Sequence, residues 1–314
     1  MFSSFVVGYL FLGGTGAGAC VLLALFGLLA PRNRVSTMGM RSRARKPVRL
    51  MRAPHAYVQL MAPAFTAACA ALVVGALFLM LDLGSVEKAL LLFAFPTPTY
   101  LTFGAYALAL LMAVSLLLSH AWWSGGSRWR YGAVQALHAC ALVVGIVVMV
   151  YTGLLLADMP AVPFWHTAWV PVLFALSAFS CGCALVLACA GFTGALDRFA
   201  SLFRRVACLD EILLALEASA LVALVVVGMS NPYEVADSAV DSLLAGGYAG
   251  AFVGGVLCLG VCFPLVLEVG SQLLKARSTA FALVVSSAVL AGGLMLRYCI
   301  VAVGAHPEVW TVVL

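Results

Sequence analysis

The sequence alternates between long apolar stretches and short polar breaks. Each apolar stretch contains the ~20 residues that a helix needs to cross a bilayer core. We interpret each stretch as a transmembrane helix, because backbone N–H and C=O groups in lipid must find hydrogen bonds within their own segment. The alternation of apolar and polar residues that is typical of barrel strands is missing. The eight predicted spans are residues 5–29, 56–81, 100–120, 133–156, 168–191, 210–229, 247–267 and 279–303.

The basic residues are confined almost entirely to every second polar break. Fifteen of the seventeen Lys and Arg residues follow spans one, three, five and seven. Cytoplasmic loops carry an excess of Lys and Arg, so these four breaks are predicted to be cytoplasmic. The fifteen residues are Arg32, Arg34, Arg41, Arg43, Arg45, Lys46, Arg49, Arg52, Arg128, Arg130, Arg198, Arg204, Arg205, Lys275 and Arg277.

The remaining breaks are acidic, with Lys88 as their only base. Both termini are therefore predicted to lie outside. The expected fold is an all-α polytopic membrane protein, a single domain over residues 1–314 with eight transmembrane helices in two four-helix bundles, N-out and C-out. The acidic residues of the outer breaks are Glu87, Asp158, Glu234, Asp237, Asp241 and Glu308.

The composition agrees with a membrane protein. The chain has 65% hydrophobic and only 9% charged residues, with a mean hydropathy of +1.13, whereas about a quarter of the residues of a soluble domain are charged. The net charge of +5 is an orientation signal, and no nucleic-acid partner is expected. Alternatively, the basic run from Arg41 to Arg52 attracts anionic lipid headgroups. Span one has no basic n-region or cleavage site, so it is predicted to be a retained helix.

Cysteines and histidines are the candidate cofactor ligands. No two of the ten cysteines form a C-x2-C pair, and Cys181 and Cys183 point to different faces of a helix. They are better explained as small packed residues, so no iron–sulfur cluster is expected in this chain. His120 and His138 are the one adjacent pair that could bracket a haem, but they are better explained as polar residues near helix ends, and no haem is expected.

Ionisable residues inside a bilayer are costly unless they are paired or hydrated, so each is a candidate for function. Arg297 lies in the outer half of span eight, and Asp82 or Asp158 was the expected partner for an ion pair. That pair would be structural or functional. Glu217 lies about two turns into span six from the cytoplasm, and Glu268 ends span seven.

Small residues recur at spacings that let helices approach closely. They are Gly14 with Gly18, Gly250 with Gly254, and Gly292 with Gly293.

Polar residues also gather at the outer ends of the first four spans. A quinone site needs hydrogen-bonding groups for two carbonyl oxygens and an apolar slot. Tyr and Thr are also common interfacial residues, so only their clustering favours a site. The candidates are Tyr9, Asp82, Thr97, Thr99, Tyr151, Thr152 and His166.

Several motifs run in order along the chain. They are Y-L-F-L-G-G-T-G-A-G from Tyr9 to Gly18, L-D-L-G from Leu81 to Gly84, Y-T-G-L-L-L from Tyr151 to Leu156, P-F-W-H from Pro163 to His166, and G-G-L-M-L-R-Y from Gly292 to Tyr298. Each motif is weak alone. Together they resemble the NrfD/PsrC family of polysulfide-reductase-type membrane subunits through nearly the whole chain.

The resemblance implies a quinone-handling anchor in the bacterial cytoplasmic membrane. Members of that family bind menaquinol or menaquinone near the outer face and carry no haem. At the same face they bind a four-cluster iron–sulfur protein and, through it, usually a molybdopterin subunit. The family's quinone ligands match Tyr9 and Tyr151. Tyr9 stands where the known type has a histidine, so His166 or Asp82 is the expected proton acceptor.

Other interpretations stay open. A second proton route is possible inward through Glu217, His138 and His120. A transporter or channel would show broken helices and inverted repeats, and Pro63 and Pro264 do interrupt two spans. A purely structural anchor would hold its partner without binding quinone.

Overall fold

The computed structural model describes residues 4–31, 35–39, 48–82, 84, 99–125, 129–159, 162–230, 234–274 and 279–304. Within these residues, eight helices are long and apolar enough to cross a membrane, which confirms the all-α, eight-span prediction. The helices are α1 (Ser4–Leu29), α2 (His55–Asp82), α3 (Tyr100–Trp123), α4 (Tyr131–Ala157), α5 (Trp169–Phe192), α6 (Ala195–Arg198), α7 (Ala200–Met229), α8 (Glu234–Leu244), α9 (Gly250–Cys262), α10 (Phe263–Leu274) and α11 (Thr279–Gly304).

Two of the spans differ from the prediction. The sixth span, α7, begins at Ala200 and not at residue 210. Phe203 and Val206 are buried while Arg204 and Arg205 are exposed, so the helix already has a buried face before the apolar stretch begins. The seventh consists of α9, which has π-helical hydrogen bonding, and α10, which continues it.

Helices α1 and α5 form the centre of the molecule. Their buried shares, 72% and 61%, are the largest of the eight spans. A Cβ added at Gly18 would overlap the Ala178 carbonyl, and one added at Gly182 would overlap the backbone at Gly18 and Ala19. The two backbones therefore touch, as small residues in membrane helices allow, and the predicted packing role of Gly14 and Gly18 is confirmed.

A second backbone contact joins α9 to α11. A Cβ at Gly260 would lie 2.7 Å from the Gly292 Cα. The π-helical turns of α9 bring Gly260 to this crossing, although the predicted pair was Gly250 with Gly254. That prediction was wrong for contacts among the described residues, where a Cβ at Gly250 or Gly254 would meet no atom of a neighbouring helix within 4 Å.

The helix contacts fall into two groups. In the first, α1 packs against α2 and α4, and α3 packs between α2 and α4. In the second, α5 packs against α7 and α11, α9 packs against α11, and α10 packs against both α7 and α11. Between the groups, α1 packs against α5 and α11, and α4 packs against α5. The two four-helix bundles therefore stay a prediction.

Two elements outside the spans were not predicted. Strands β1 (Ser36–Gly39) and β2 (Val48–Met51) form an antiparallel hairpin in the first basic break. The backbone N–H of Met51 donates to the Trp129 carbonyl at 3.0 Å, which joins this hairpin to the next basic break. On the opposite side, α8 lays Val240 against Gly228 of α7 and thereby covers its outer end.

Substitution of Gly18 by Ala is expected to destabilise the protein by about 1–3 kcal/mol, the usual cost of overpacking, because the new methyl group meets a backbone carbonyl that cannot move aside. Thermal unfolding of the full chain in detergent would measure this. The control is Gly254→Ala, which adds the same methyl group in open space. Equal unfolding temperatures for both variants would contradict the contact.

The predicted orientation is tested by single added cysteines at two exposed acids, Asp158 after α4 and Asp197 after α5. A membrane-impermeant maleimide applied to intact cells is expected to label Asp158→Cys but not Asp197→Cys until the membrane is opened. Labelling is compared with the unaltered chain, which has ten cysteines of its own. The reverse pattern would invert the topology.

Candidate functional site

Two tyrosines from different helices meet beside α3. Tyr9 of α1 and Tyr151 of α4 are only 1% and 2% exposed. The Tyr151 ring occupies the space above Gly104 of α3, where even a Cβ would overlap it, and the Tyr9 ring lies beside Gly13 of its own helix. Small residues thus make room for two phenol rings between α1, α3 and α4.

The phenol oxygens of Tyr9 and Tyr151 are the distinctive feature of this site. They interact with each other electrostatically and through a side-chain hydrogen bond, although neither oxygen makes a hydrogen bond of good geometry to the described residues. Only one of the two hydroxyls can donate to the other, so the second keeps an unused donor in a buried place, where an unsatisfied polar group costs free energy. Such a pair suits a ligand with acceptor oxygens.

The other predicted outer residues do not join this pair. Asp82 is exposed at the end of α2, and His166 is exposed with its Nδ1 2.8 Å from the Ala157 carbonyl oxygen. Thr99 caps α3 by accepting from the Thr102 N–H at 3.4 Å, and the Thr152 hydroxyl donates to the Met149 carbonyl. Thr97 lies outside the described residues.

The connection from α4 to α5 is held against two other helices. The Trp165 Nε1–H donates to the Ile300 carbonyl of α11 at 2.8 Å. The Trp165 ring packs on Gly304, where a Cβ would overlap it, and Phe164 lies against Gly228 of α7. These contacts fix the segment that carries His166 against α7 and α11.

The two histidines near the basic breaks do not form a common site. His138 is 1% exposed, and both its ring nitrogens have partners, since Nδ1 lies 2.8 Å from the Val134 carbonyl oxygen and Nε2 lies 3.3 Å from the Trp122 Nε1. The first contact is that of an Nδ1–H donor, so Nε2 accepts from the indole. His120 is exposed and its ring contacts Trp129. His138 is thus explained by packing, and its place in a proton route stays a prediction.

Arg297 of α11 is completely buried between three helices. Its Nε–H donates to the Leu10 carbonyl at 3.1 Å, and one Nη donates to the Ser177 hydroxyl at 3.1 Å and to the Gly293 carbonyl at 2.8 Å. The guanidinium carbon also lies 5.5 Å from the centre of the Phe174 ring. The cation is therefore held by neutral oxygens and an aromatic face.

The expected pairing of Arg297 with Asp82 or Asp158 does not appear among these bonds. Gly8 of α1 packs on the Phe78 ring of α2, so Asp82, four residues further along α2, lies near the start of α1. Leu10 is therefore about 9 Å deeper, at 1.5 Å per residue. Because its Nη binds the Gly293 carbonyl, the Arg297 side chain runs inward, away from both outer acids.

Instead, Arg297 lies near an acid of α7. It interacts electrostatically with Glu217, and Glu217 interacts with the Ser177 hydroxyl that also binds Arg297. Closer to the start of α7, the Ser180 hydroxyl donates to the Asp210 carboxylate at 2.7 Å. Sequence reasoning missed Asp210 because it was assigned to the edge of span six. The signal was the seven-residue spacing from Glu217, which places both acids on one helix face.

The cysteines do not form a metal site in the described structure. All ten are free, and the described residues contain no group of three or more His, Cys, Asp or Glu that could hold a metal ion. The expectation that they pack as buried residues holds for Cys20, Cys181, Cys183 and Cys299, whereas Cys208, Cys258 and Cys262 are exposed.

Comparison with known proteins gives one match. A family model described as Polysulphide reductase, NrfD matches residues 1–306, essentially the whole chain. None of the curated proteins compared with the chain matches it. Proteins of this family interact with quinones and associate with iron–sulfur and catalytic subunits in respiratory oxidoreductase complexes. The chain is therefore a multi-pass membrane subunit that belongs to the NrfD family.

Proposed function

We propose that this chain is the quinone-binding membrane subunit of a respiratory oxidoreductase and that Tyr9 and Tyr151 hold the quinone head group. The observation that carries the proposal is the pair of adjacent buried phenols, of which only one can donate to the other, while neither oxygen makes a hydrogen bond of good geometry to the described residues. Quinone and quinol both present oxygen atoms that accept hydrogen bonds from a phenol.

The surroundings of the two tyrosines suit such a ligand. The neighbouring side chains of α1, α3 and α4 are predominantly apolar, as a site for a lipid-soluble molecule requires. In a site without competing water, a hydrogen bond from each phenol favours the ligand more than it would at an exposed surface. Tyr9 and Tyr151 therefore act as donors that orient the head group.

The charges at the outer surface suit proton transfer. A phenol is a poor base at neutral pH, with an ordinary pKa near ~10, so quinol oxidation needs a separate proton acceptor. Asp82 and His166 are exposed at the outer ends of α2 and of the α4–α5 connection, and we assign them this role. Protons then leave toward the outer face.

The partners follow from the family. We propose that menaquinol or menaquinone is the quinone, and that electrons pass to a four-cluster iron–sulfur subunit docked on the outer face and from it to a molybdopterin catalytic subunit. The complex would lie in a bacterial cytoplasmic membrane. Because the described part of this chain offers no cluster of metal ligands, the redox centres are assigned to the partner subunits.

Substitution of Tyr151 by Phe is expected to slow quinol oxidation by the assembled complex about fivefold, because one hydrogen bond of about 1 kcal/mol is lost to the head group. Tyr9→Phe should act in the same direction. Turnover is measured optically with a menaquinol analogue, after assembly with the partner subunits has been verified.

The control is Tyr100→Phe, which removes the same hydroxyl from a side chain that is 49% exposed at the outer end of α3. Unchanged turnover in Tyr9→Phe, Tyr151→Phe and the double variant would contradict the assignment. A complex that assembles but never oxidises quinol, even with the native chain, would indicate a structural anchor instead.

A further inference from the structure

The second bundle contains a buried group of ionisable residues that the quinone site does not use. Asp210 and Glu217 of α7 are each only 5% exposed. Seven residues separate them, about two helical turns, so both point toward α5. The Ser180 hydroxyl donates to Asp210, and Ser177 interacts with Glu217. We call Asp210 and Glu217 the acid pair.

A single cation lies beside Glu217 of the acid pair. Among the described side chains, Arg297 is the only buried Lys or Arg. It interacts electrostatically with Glu217 and shares the Ser177 hydroxyl with it, and it also interacts with the Cys181 thiol. One of its Nη groups makes no hydrogen bond of good geometry to the described residues and is shielded from solvent. The cation therefore has donor capacity left toward Glu217.

The charges do not balance if both acids are ionised. One guanidinium would then face two carboxylates, and the group would carry a net negative charge inside the bilayer. An unpaired buried charge costs several kcal/mol. Two carboxyl groups that interact, as Asp210 and Glu217 do, avoid this cost when one of them binds a proton.

We propose that the acid pair is a proton-binding site that holds one exchangeable proton and that Arg297 couples this site to the turn of α1 that carries Tyr9. The exchange is a simple protonation: water on the cytoplasmic side gives a proton to one carboxylate of the pair, and no electron is transferred. Arg297 stays charged throughout, so the site alternates between a neutral and a negatively charged form.

Other titratable groups surround the pair on its neighbouring helices. On α5, Cys181 and Cys183 both interact with Asp210, and Cys183 also interacts with Glu268 of α10. On α7 itself, Glu211 is half-buried beside Asp210. Glu268 and Glu211 lie on the cytoplasmic side of Glu217, where they mark the direction from which protons reach the pair.

The link to the outer site runs through one guanidinium. Arg297 binds Ser177, beside Glu217, with one nitrogen and the carbonyl of Leu10, the residue after Tyr9, with another. A change of charge at the acid pair alters the force on Arg297 and hence on this turn of α1. If the proposed function is correct, ligand binding at Tyr9 and proton binding at the pair must affect each other equally, because linkage is reciprocal.

The proton site is tested without quinone. The full-length chain in lipid nanodiscs is titrated with pH by infrared spectroscopy, which separates protonated from ionised carboxyl groups. A protonated buried carboxyl is expected at neutral pH and should be lost or shifted in both Glu217→Gln and Asp210→Asn. The control Asp197→Asn, an exposed acid after α5, should retain it. No protonated band at neutral pH, or a band unchanged in both variants, would overturn the proposal.

The coupling is tested with Ser177→Ala, a small change that removes the hydroxyl between Glu217 and Arg297. In the native chain, a menaquinone analogue is expected to change the infrared carboxyl band, and Ser177→Ala should reduce that change at least twofold. Analogue binding without any band change would refute the coupling but not the proton site. Failure of the analogue to bind at all would refute the proposed function, while the titration above still decides the proton site.

Discussion

The fold depends on accommodating one arginine in the middle of a membrane protein. Burial of a guanidinium in lipid is costly unless its donors find acceptors, and Arg297 obtains them from three helices: Leu10 of α1, Ser177 of α5 and Gly293 of its own α11. The bonds require these helices to stand close together. Arg297 thus fixes the relative positions of α1, α5 and α11, which join the two groups of helices.

Close approach depends in turn on small residues. At Gly14 an added Cβ would lie 3.1 Å from the Arg297 guanidinium, and at Gly18 it would overlap the α5 backbone. Lipid provides no hydrophobic drive between helices, so packing and polar contacts must hold them. The glycine-rich face of α1 therefore serves two purposes, since it admits α5 and leaves room for a charged side chain.

The spans and their number follow directly from the sequence, because an apolar segment of this length in lipid can satisfy its backbone hydrogen bonds only as a helix. The pairing of Tyr9 with Tyr151 was also foreseen, but from the family's motifs rather than from spacing. The partners of Arg297 could not be foreseen, because two of its acceptors are backbone carbonyls, which every residue offers. Asp210 was missed because hydropathy does not show that a helix extends beyond its apolar stretch. The π-helical turns of α9 were also missed, because they have no clear sequence signal.

The two polar groups of this chain differ in a way that fits different ligands. The phenols of Tyr9 and Tyr151 are neutral, and their oxygens make no hydrogen bond of good geometry to the described residues, so they suit a neutral molecule with acceptor oxygens. Asp210 and Glu217 are acids that already interact with hydroxyl groups, and Glu217 also lies near a cation, so a proton is the ligand that we propose for them. Because α1 contacts the first group through Tyr9 and the second through the Leu10 carbonyl, one turn of one helix connects them. An electron-transferring membrane subunit that responds to protons needs a physical link of this kind.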